Sequence, residues 1–408
     1  MTMARGPVID FDHHGPAYVA VWEAIAADLH AMDYPMAWSP HHGGFWVLAD
    51  WAEAKRVAEE WRNFSSDNDV GNQRQGFRGV TIPQQPYPLM LTESDPPLST
   101  ERRRIEMPFF TPRAMRDWEP VTESYLNQAI DAVAERGEAD LVHDIVIPTT
   151  ARTTLHILGF DPDNWRDAAL SAHRSSFMLP DEPDYPHAEM ARLRAQFRDM
   201  LADRRAKPRG DLVSALAQGH VAGKALTDAE GESMMSALVF GGFDTTTAAV
   251  LHALIWLDTH RDAHDRLLVD SAHLANAVEE FLRFFPPAPG VARNATADME
   301  IGGRRIAKGD RIYLWLAGAN RDPKVFPDPD TVHLDRANAR DHLSFSAGGH
   351  RCLGSPLAKL EIRAMLGTML RRLPGYRIDH AALERYPSYG SIYGLSHVPM
   401  TFPALALA

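Results

Sequence analysis

Apolar positions along this chain recur mostly at helical spacing, with few alternating stretches, which predicts a mainly helical protein with a smaller β part. The strand candidates are short: residues 44–48, Met299–Ile301, Arg311–Leu314 and residues 397–402. Two long irregular regions, about 64–97 and 178–186, are rich in proline, and loops of that length inside a compact domain are usually functional. No repeat, low-complexity block or linker divides the chain, so residues 1–408 are expected to form one domain.

The strongest helix signal starts at Thr227, which forms a T-x-x-E capping box with Glu230 ahead of an apolar run reaching about His260. About 33 residues span about 50 Å at the α-helical rise, enough to cross a whole domain. The middle of this helix is poor helix material. Gly241 and Gly242 each cost about 1 kcal/mol relative to alanine, and Thr245, Thr246 and Thr247 are β-branched. Something other than helix stability selects them. Helical periodicity puts Ala237, Gly241, Asp244, Thr245 and Ala248 in one small, centrally polar stripe. Read blandly, Thr245 bonds the carbonyl four residues back and bends the helix, while Asp244 faces solvent.

A second unusual segment runs Phe345-Ser-Ala-Gly-Gly-His-Arg-Cys352-Leu-Gly354 and leads into a helix that begins near Ser355 and Pro356 and stops at Pro374 and Gly375. Cys352 is the only cysteine, which excludes an internal disulfide, a multi-cysteine zinc site and an iron–sulfur cluster on this chain. Its place before a helix N-terminus favours a thiolate, and the nearby glycines let a flat cofactor approach the backbone. An ordinary buried cysteine and a nucleophilic cysteine are the competing readings.

Charge narrows the field. The formal net charge of -12 repels phosphate, which argues against nucleic acid and anionic membranes as partners. The first 33 residues hold Asp10, Asp12, Asp28, His13 and His14 and no apolar stretch of signal or membrane length, so a cytoplasmic protein is expected.

Phe345, Gly348, His350, Cys352 and Gly354 fit the F-x-x-G-x-H-x-C-x-G signature, and through it the chain resembles the cytochromes P450. Other motifs of that family follow in order. Glu280-Phe-Leu-Arg283 is similar to its E-x-x-R pair, although spacing alone would equally pair Glu279 with Arg283, and Arg336 matches the third member of its structural triad. Gly241-Gly242-Phe243-Asp244-Thr245-Thr246 resembles its oxygen-binding motif.

The resemblance implies a P450 fold with haem b (iron protoporphyrin IX) between the long central helix and the cysteine-ligand helix, Cys352 being the axial thiolate. It implies that Asp244 and Thr245 deliver protons for the activation of O2, and that Arg293, His350 and Arg103 hold the haem propionates. Asp95-Pro-Pro-Leu-Ser99 departs from the family pattern, with serine where a histidine donor is usual. The substrate pocket is expected at Ala237, Phe240, Val291, Ile392 and Tyr393, with the 80–88 loop, 177–179 and 288–291 around it, and Arg74, Arg78 and Arg174 at its margins.

That lining favours a hydrophobic substrate of small to medium size. Electrons are expected from a ferredoxin and its reductase, docking on a basic patch of Arg102, Arg104, Arg113 and Arg116, and the protein is expected to be a monomer. The rival readings are an atypical haem-thiolate enzyme performing coupling, nitration or peroxide-driven chemistry, and a haem carrier or sensor without turnover.

Overall fold

The structure is a computed structural model that describes residues 6–69, 75–85 and 87–405. Arg74, one of the arginines expected at the pocket margin, lies outside these residues. Helices dominate, and several are started by side chains that satisfy their free N–H groups. Asp50, Thr111, Asp211 and Thr227 each accept from a backbone N–H in the first turn of the helix that follows. The capping box of Thr227 and Glu230 is formed in full.

The long apolar run is two helices rather than one. Asp228–Gly242 and Asp244–Thr259 meet at Phe243, where φ −87° and ψ −71° interrupt regular geometry beside the two glycines. Together they are long and apolar enough to cross a membrane by length alone, but they run through the protein core. Around them pack Pro112–Asp131, Ile147–Leu158, His187–Ala206, Leu274–Phe284 and Ser355–Arg372.

The β part lies to one side. Its largest sheet has the order Met36–Ser39, Phe45–Leu48, Arg311–Leu314, Val291–Ala295, Phe64–Ser65, with only Phe45–Leu48 and Arg311–Leu314 parallel. The expected strand at 397–402 is interrupted: Leu395–His397 pairs with Glu384–Arg385, and Pro399–Thr401 joins Arg377–Ile378 and Glu138–Asp140.

Glu280, Arg283 and Arg336 form a fully buried knot. Arg283 makes two 2.8 Å bonds to the Glu280 carboxylate, and Arg336 Nε reaches both of its oxygens at 3.0 and 3.1 Å. The remaining guanidinium donors bond the carbonyls of Asn320, Pro327, Asp328, Pro329 and Thr331. Charges this deep persist only when their donors and acceptors are satisfied. Glu279 is engaged elsewhere, by His342 at 3.1 Å and Lys359 at 2.7 Å. The pairing that spacing left open therefore falls to Glu280. The knot ties the Leu274–Phe284 helix to the segment that leads into the cysteine loop.

Candidate functional site

The cysteine loop is shaped by close contact. Gly348 has φ +67°, and a Cβ there would lie 2.7 Å from the carbonyl oxygen of Ala58, so the loop presses on the Trp51–Glu59 helix. This glycine serves loop packing and is not among the cavity walls. The Cys352 N–H donates to the Phe345 carbonyl at 2.9 Å, closing the loop just before Ser355–Arg372 begins.

The Cys352 thiol opens onto a largely apolar cavity that Phe345, Leu353 and Gly354 also line. Burial pushes the thiol above its ordinary range, while the N–H groups of Gly354 and Ser355 and the charges of Arg103 and Arg351 pull it down. The helix N-terminus thus acts in the expected direction, but burial outweighs it in the protein alone. A bound metal cation at the sulfur shifts that balance fully to thiolate.

The same cavity is lined by Gly241, Gly242, Thr245 and Thr246 of the central helices. The two glycines do different things. A Cβ at Gly241 would meet nothing within 4 Å, so its absence widens the cavity, whereas one at Gly242 would lie 2.7 Å from Thr154 Oγ1. Thr245 Oγ1 donates to the Gly241 carbonyl at 2.7 Å, beside the break at Phe243.

The expected stripe divides. Ala237, Gly241 and Thr245 face the cavity, but Asp244 and Ala248 do not line it. Asp244 is neither solvent-facing nor cavity-facing. Its buried carboxylate meets His173 and Tyr386, and Ala248 packs with Tyr386 and Ile392. A one-residue step turns about 100° around a helix, which separates Asp244 from Thr245.

Two arginines and a histidine lie close together. The ring nitrogens of His350 are buried with no contact other than a weak one to the Ser94 backbone, and burial with the nearby Arg293 and Arg103 lowers its pKa to about 3, which keeps the ring neutral near pH 7. Arg293, on the strand position opposite Ile312, is buried with a single side-chain bond to the carbonyl of Ala292, and burial lowers its pKa to about 10. Arg103 lines the cavity and donates to the Arg351 carbonyl at 2.7 Å. Buried donors without acceptors are costly; Arg103 and His350 line the cavity that the thiol also lines, whereas Arg293 is buried behind its wall. A flat, doubly anionic macrocycle with a thiol-binding metal is what this donor set fits. Ser99, in the place of a usual histidine donor, is buried near the start of the Leu98–Glu106 helix.

Of the expected pocket residues, Ala237 and Val291 line the cavity, together with Pro287, Ala288 and Leu91. Phe240, Ile392 and Tyr393 do not. Phe240 is rotated onto the core side of its helix, and Ile392 packs on Ala248 and Tyr386. Tyr393 is held in an N-terminal aromatic cluster, its hydroxyl 2.9 Å from that of Tyr18. Arg78 donates its backbone N–H to Asn294, and Arg174 bonds the Asp184 carbonyl.

Three buried acids or bases escaped sequence reasoning. Glu361 lines the cavity beside Thr246, and burial pushes its carboxyl well up. A lone acid among Leu357, Leu360, Ile362 and Met365 was the available signal. Glu106 is buried with neither oxygen partnered and is likewise pushed well up. His173 had no signal, since its partner Asp244 lies 71 positions away. Among the described residues no group of three or more His, Cys, Asp or Glu side chains is placed to hold a metal ion.

Comparison with known proteins agrees with this geometry. The sequence profile of the family described as Cytochrome P450 matches residues 183–374. The chain is 33% identical to a steroid C26-monooxygenase of Mycobacterium tuberculosis (strain CDC 1551 / Oshkosh), over 79% of this chain and 88% of that protein. It is 28% identical to linalool 8-monooxygenase of Pseudomonas putida, over 84% and 87%. Among solved structures it resembles cytochrome P450-153 from Novosphingobium aromaticivorans with a TM-score of 0.85 and 27% identity, covering 96% of this chain and 99% of that one.

Proposed function

The chain belongs to the cytochrome P450 family, and on that footing we propose that it is a ferredoxin-driven monooxygenase that hydroxylates an apolar organic molecule of small to medium size. Monooxygenase activity and a haem-thiolate cofactor come with the family. The roles given to individual residues, the substrate class and the electron donor are the proposal.

One observation carries it: a single largely apolar cavity is lined both by Cys352 and by Gly241, Gly242 and Thr245. Haem bound there through a thiolate supplies the binding of dioxygen and cleavage of its O–O bond. Cys352 donates the thiolate. Arg293 and Arg103 would hold the propionates with charge-assisted hydrogen bonds, and neutral His350 would donate to one of them from its single N–H.

Gly241 leaves room for a small ligand beside the helix. Thr245 then turns its hydroxyl from the Gly241 carbonyl into the cavity and presents a proton there, and Asp244 behind it replenishes that proton. The apolar walls exclude bulk water, so protons enter through these groups rather than at random. Leu91, Ala237, Pro287, Ala288 and Val291 offer a substrate no charge to pair with, which supports an apolar molecule. The names of the relatives that act on linalool and on a steroid point to the same class.

The test is to titrate the purified holoprotein with terpenoid, steroid and fatty-acid-like compounds and follow the change from low to high spin. The compounds that bind are then turned over with ferredoxin, its reductase and isotopically labelled dioxygen. Product carrying one labelled oxygen is expected. Turnover that places no label in the product contradicts the proposal and favours coupling or another atypical reaction.

A further inference from the structure

Asp244 is held by two side chains from outside its own helix. His173 Nδ1 lies 3.1 Å from Oδ1, the Tyr386 hydroxyl donates to Oδ2 at 3.3 Å, and that hydroxyl is 2.8 Å from His173 Nδ1. All three residues are at most 5% exposed. Burying three polar, titratable groups where Leu or Phe would pack costs stability, so the cluster calls for a function.

The ring of His173 has a second titratable neighbour. His143 sits edge-to-face with it, ring centroids 6.1 Å apart, and its side chain is 46% exposed. That separation is one a hydrogen-bonded water spans. His143 belongs to the π-helical turn Leu141–Val146, an irregularity often found at functional positions. Asp140, at the start of the turn, lies 4.0 Å from His143 and 2.9 Å from His397. A line of titratable groups therefore runs from the surface through His143 and His173 to Asp244, and the next residue, Thr245, lines the cavity.

We propose that His173 relays protons from solvent at His143 to Asp244, making the Leu141–Val146 turn the entrance of the proton path. The inference rests on Asp244 acting as the proton source in the proposed monooxygenase. An imidazole accepts a proton at one nitrogen and releases another from the second. With its hydrogen on Nδ1, His173 donates to Asp244 Oδ1. A proton arriving at Nε2 makes the imidazolium, and the Nδ1 proton passes to the carboxylate. What remains is a neutral carboxylic acid and an imidazole with its hydrogen on Nε2, whose Nδ1 now accepts from Tyr386. Once Asp244 has released its proton toward Thr245, exchange with water on the His143 side, one proton leaving Nε2 as another is taken up at Nδ1 while the ring swings out, restores the first tautomer. Among the described residues the ring of Phe177 also packs on His173, and the adjacent Arg174 is turned to the Asp184 carbonyl.

The test compares H173N, H143Q, Y386F and D244N in the holoenzyme. Asparagine keeps a donor near the Nδ1 position but has no second nitrogen, so H173N preserves the contact with Asp244 and removes the relay. The readouts are product formed per NADH, the solvent isotope effect on turnover and the pH profile of both, with the ferrous-CO band as a check of the haem site. H173N is expected to lose about tenfold in coupled turnover with a raised solvent isotope effect, and H143Q to change in the same direction by about two- to threefold. The double variant with D244N is expected to be no worse than D244N alone.

An impaired D244N beside an H173N and H143Q that match the wild type overturns the relay. An unimpaired D244N overturns instead the reading of Asp244 on which the relay rests. Should H173N lose its ferrous-CO band, H143Q decides: reduced coupling with a raised isotope effect supports the path, and unchanged values overturn it.

Discussion

The Thr245 hydroxyl donates a 2.7 Å hydrogen bond to the carbonyl oxygen of Gly241, four residues earlier and across the helix break at Phe243. The residue that lines the cavity with the thiol is thus also the one that bonds a carbonyl just before the break. Both readings of Thr245 drawn from sequence are compatible with this bond: it stabilises the bend at rest and holds an O–H at the cavity wall.

Replacing Thr245 by Ala should therefore spare oxygen uptake to within about twofold while product per NADH falls about tenfold and peroxide appears, because positioned proton delivery is lost. Serine at the same position should recover most of the coupling. Paired measurements of oxygen, peroxide and product check this, and a fully coupled T245A contradicts the role.

The buried Glu280–Arg283–Arg336 knot predicts a stability effect far from the cavity. Arg283→Ala leaves the Glu280 carboxylate fully buried beside a single remaining guanidinium and frees the carbonyls of Asn320 and Pro329, so a loss of about 3 to 5 kcal/mol is expected. Little soluble holoprotein should be recovered. Denaturant titration of whatever folds measures the loss, and a value near that of an exposed pair, about 0 to 1 kcal/mol, contradicts the account.

These two cases mark what the chain makes legible. Motifs local in sequence survive folding: the capping box at Thr227, the cysteine loop, and the E-x-x-R pair. Burial did not follow from them, since spacing alone gave Glu280 and Arg283 no reason to be interior. Helical periodicity puts five residues in one stripe, of which Ala237, Gly241 and Thr245 line the cavity while Asp244 and Ala248 do not, because periodicity assigns a face to within about 100° and the cavity occupies a narrower arc. Phe240 and Tyr393 are large and apolar, as pocket residues are, but equally suit the core that took them. Partners joined only by the tertiary fold, such as His173 with Asp244, leave no local trace.

The half-buried ring of His252 predicts a pH effect on stability. It donates from Nε2 to the Tyr393 carbonyl at 2.8 Å and stacks on Phe285, and burial lowers its pKa to about 4. Above pH 6.5 the ring is neutral in both folded and unfolded chains and has no effect. As pH falls from 6.5 toward 4 the unfolded chain takes up a proton that the folded one refuses, so stability is lost. Between pH 7 and pH 5 this amounts to about 1 kcal/mol once solvent screening is allowed for. H252Q should lose correspondingly less over that interval in urea titrations, and an identical pH dependence contradicts the assignment.

The expected basic docking patch is smaller than sequence suggested. Arg104, Arg113 and Arg116 are exposed, but Arg102 is buried and paired with Glu230 at 2.9 Å. Charge reversal at Arg113 and Arg116 together should raise the KM for an acidic ferredoxin several-fold and flatten its dependence on ionic strength. R102Q should instead lower stability and leave the salt dependence unchanged. Steady-state turnover across a salt series separates the two.

The proposed bond from sulfur 352 to iron underlies the roles proposed for the cavity residues, and the ferrous-CO absorption spectrum reads it directly. The wild-type protein should show the red-shifted Soret band of thiolate ligation, and C352S should lose it while keeping its helical circular dichroism. A red-shifted band that persists in C352S, or that never forms in haem-loaded wild type, contradicts the account at its centre.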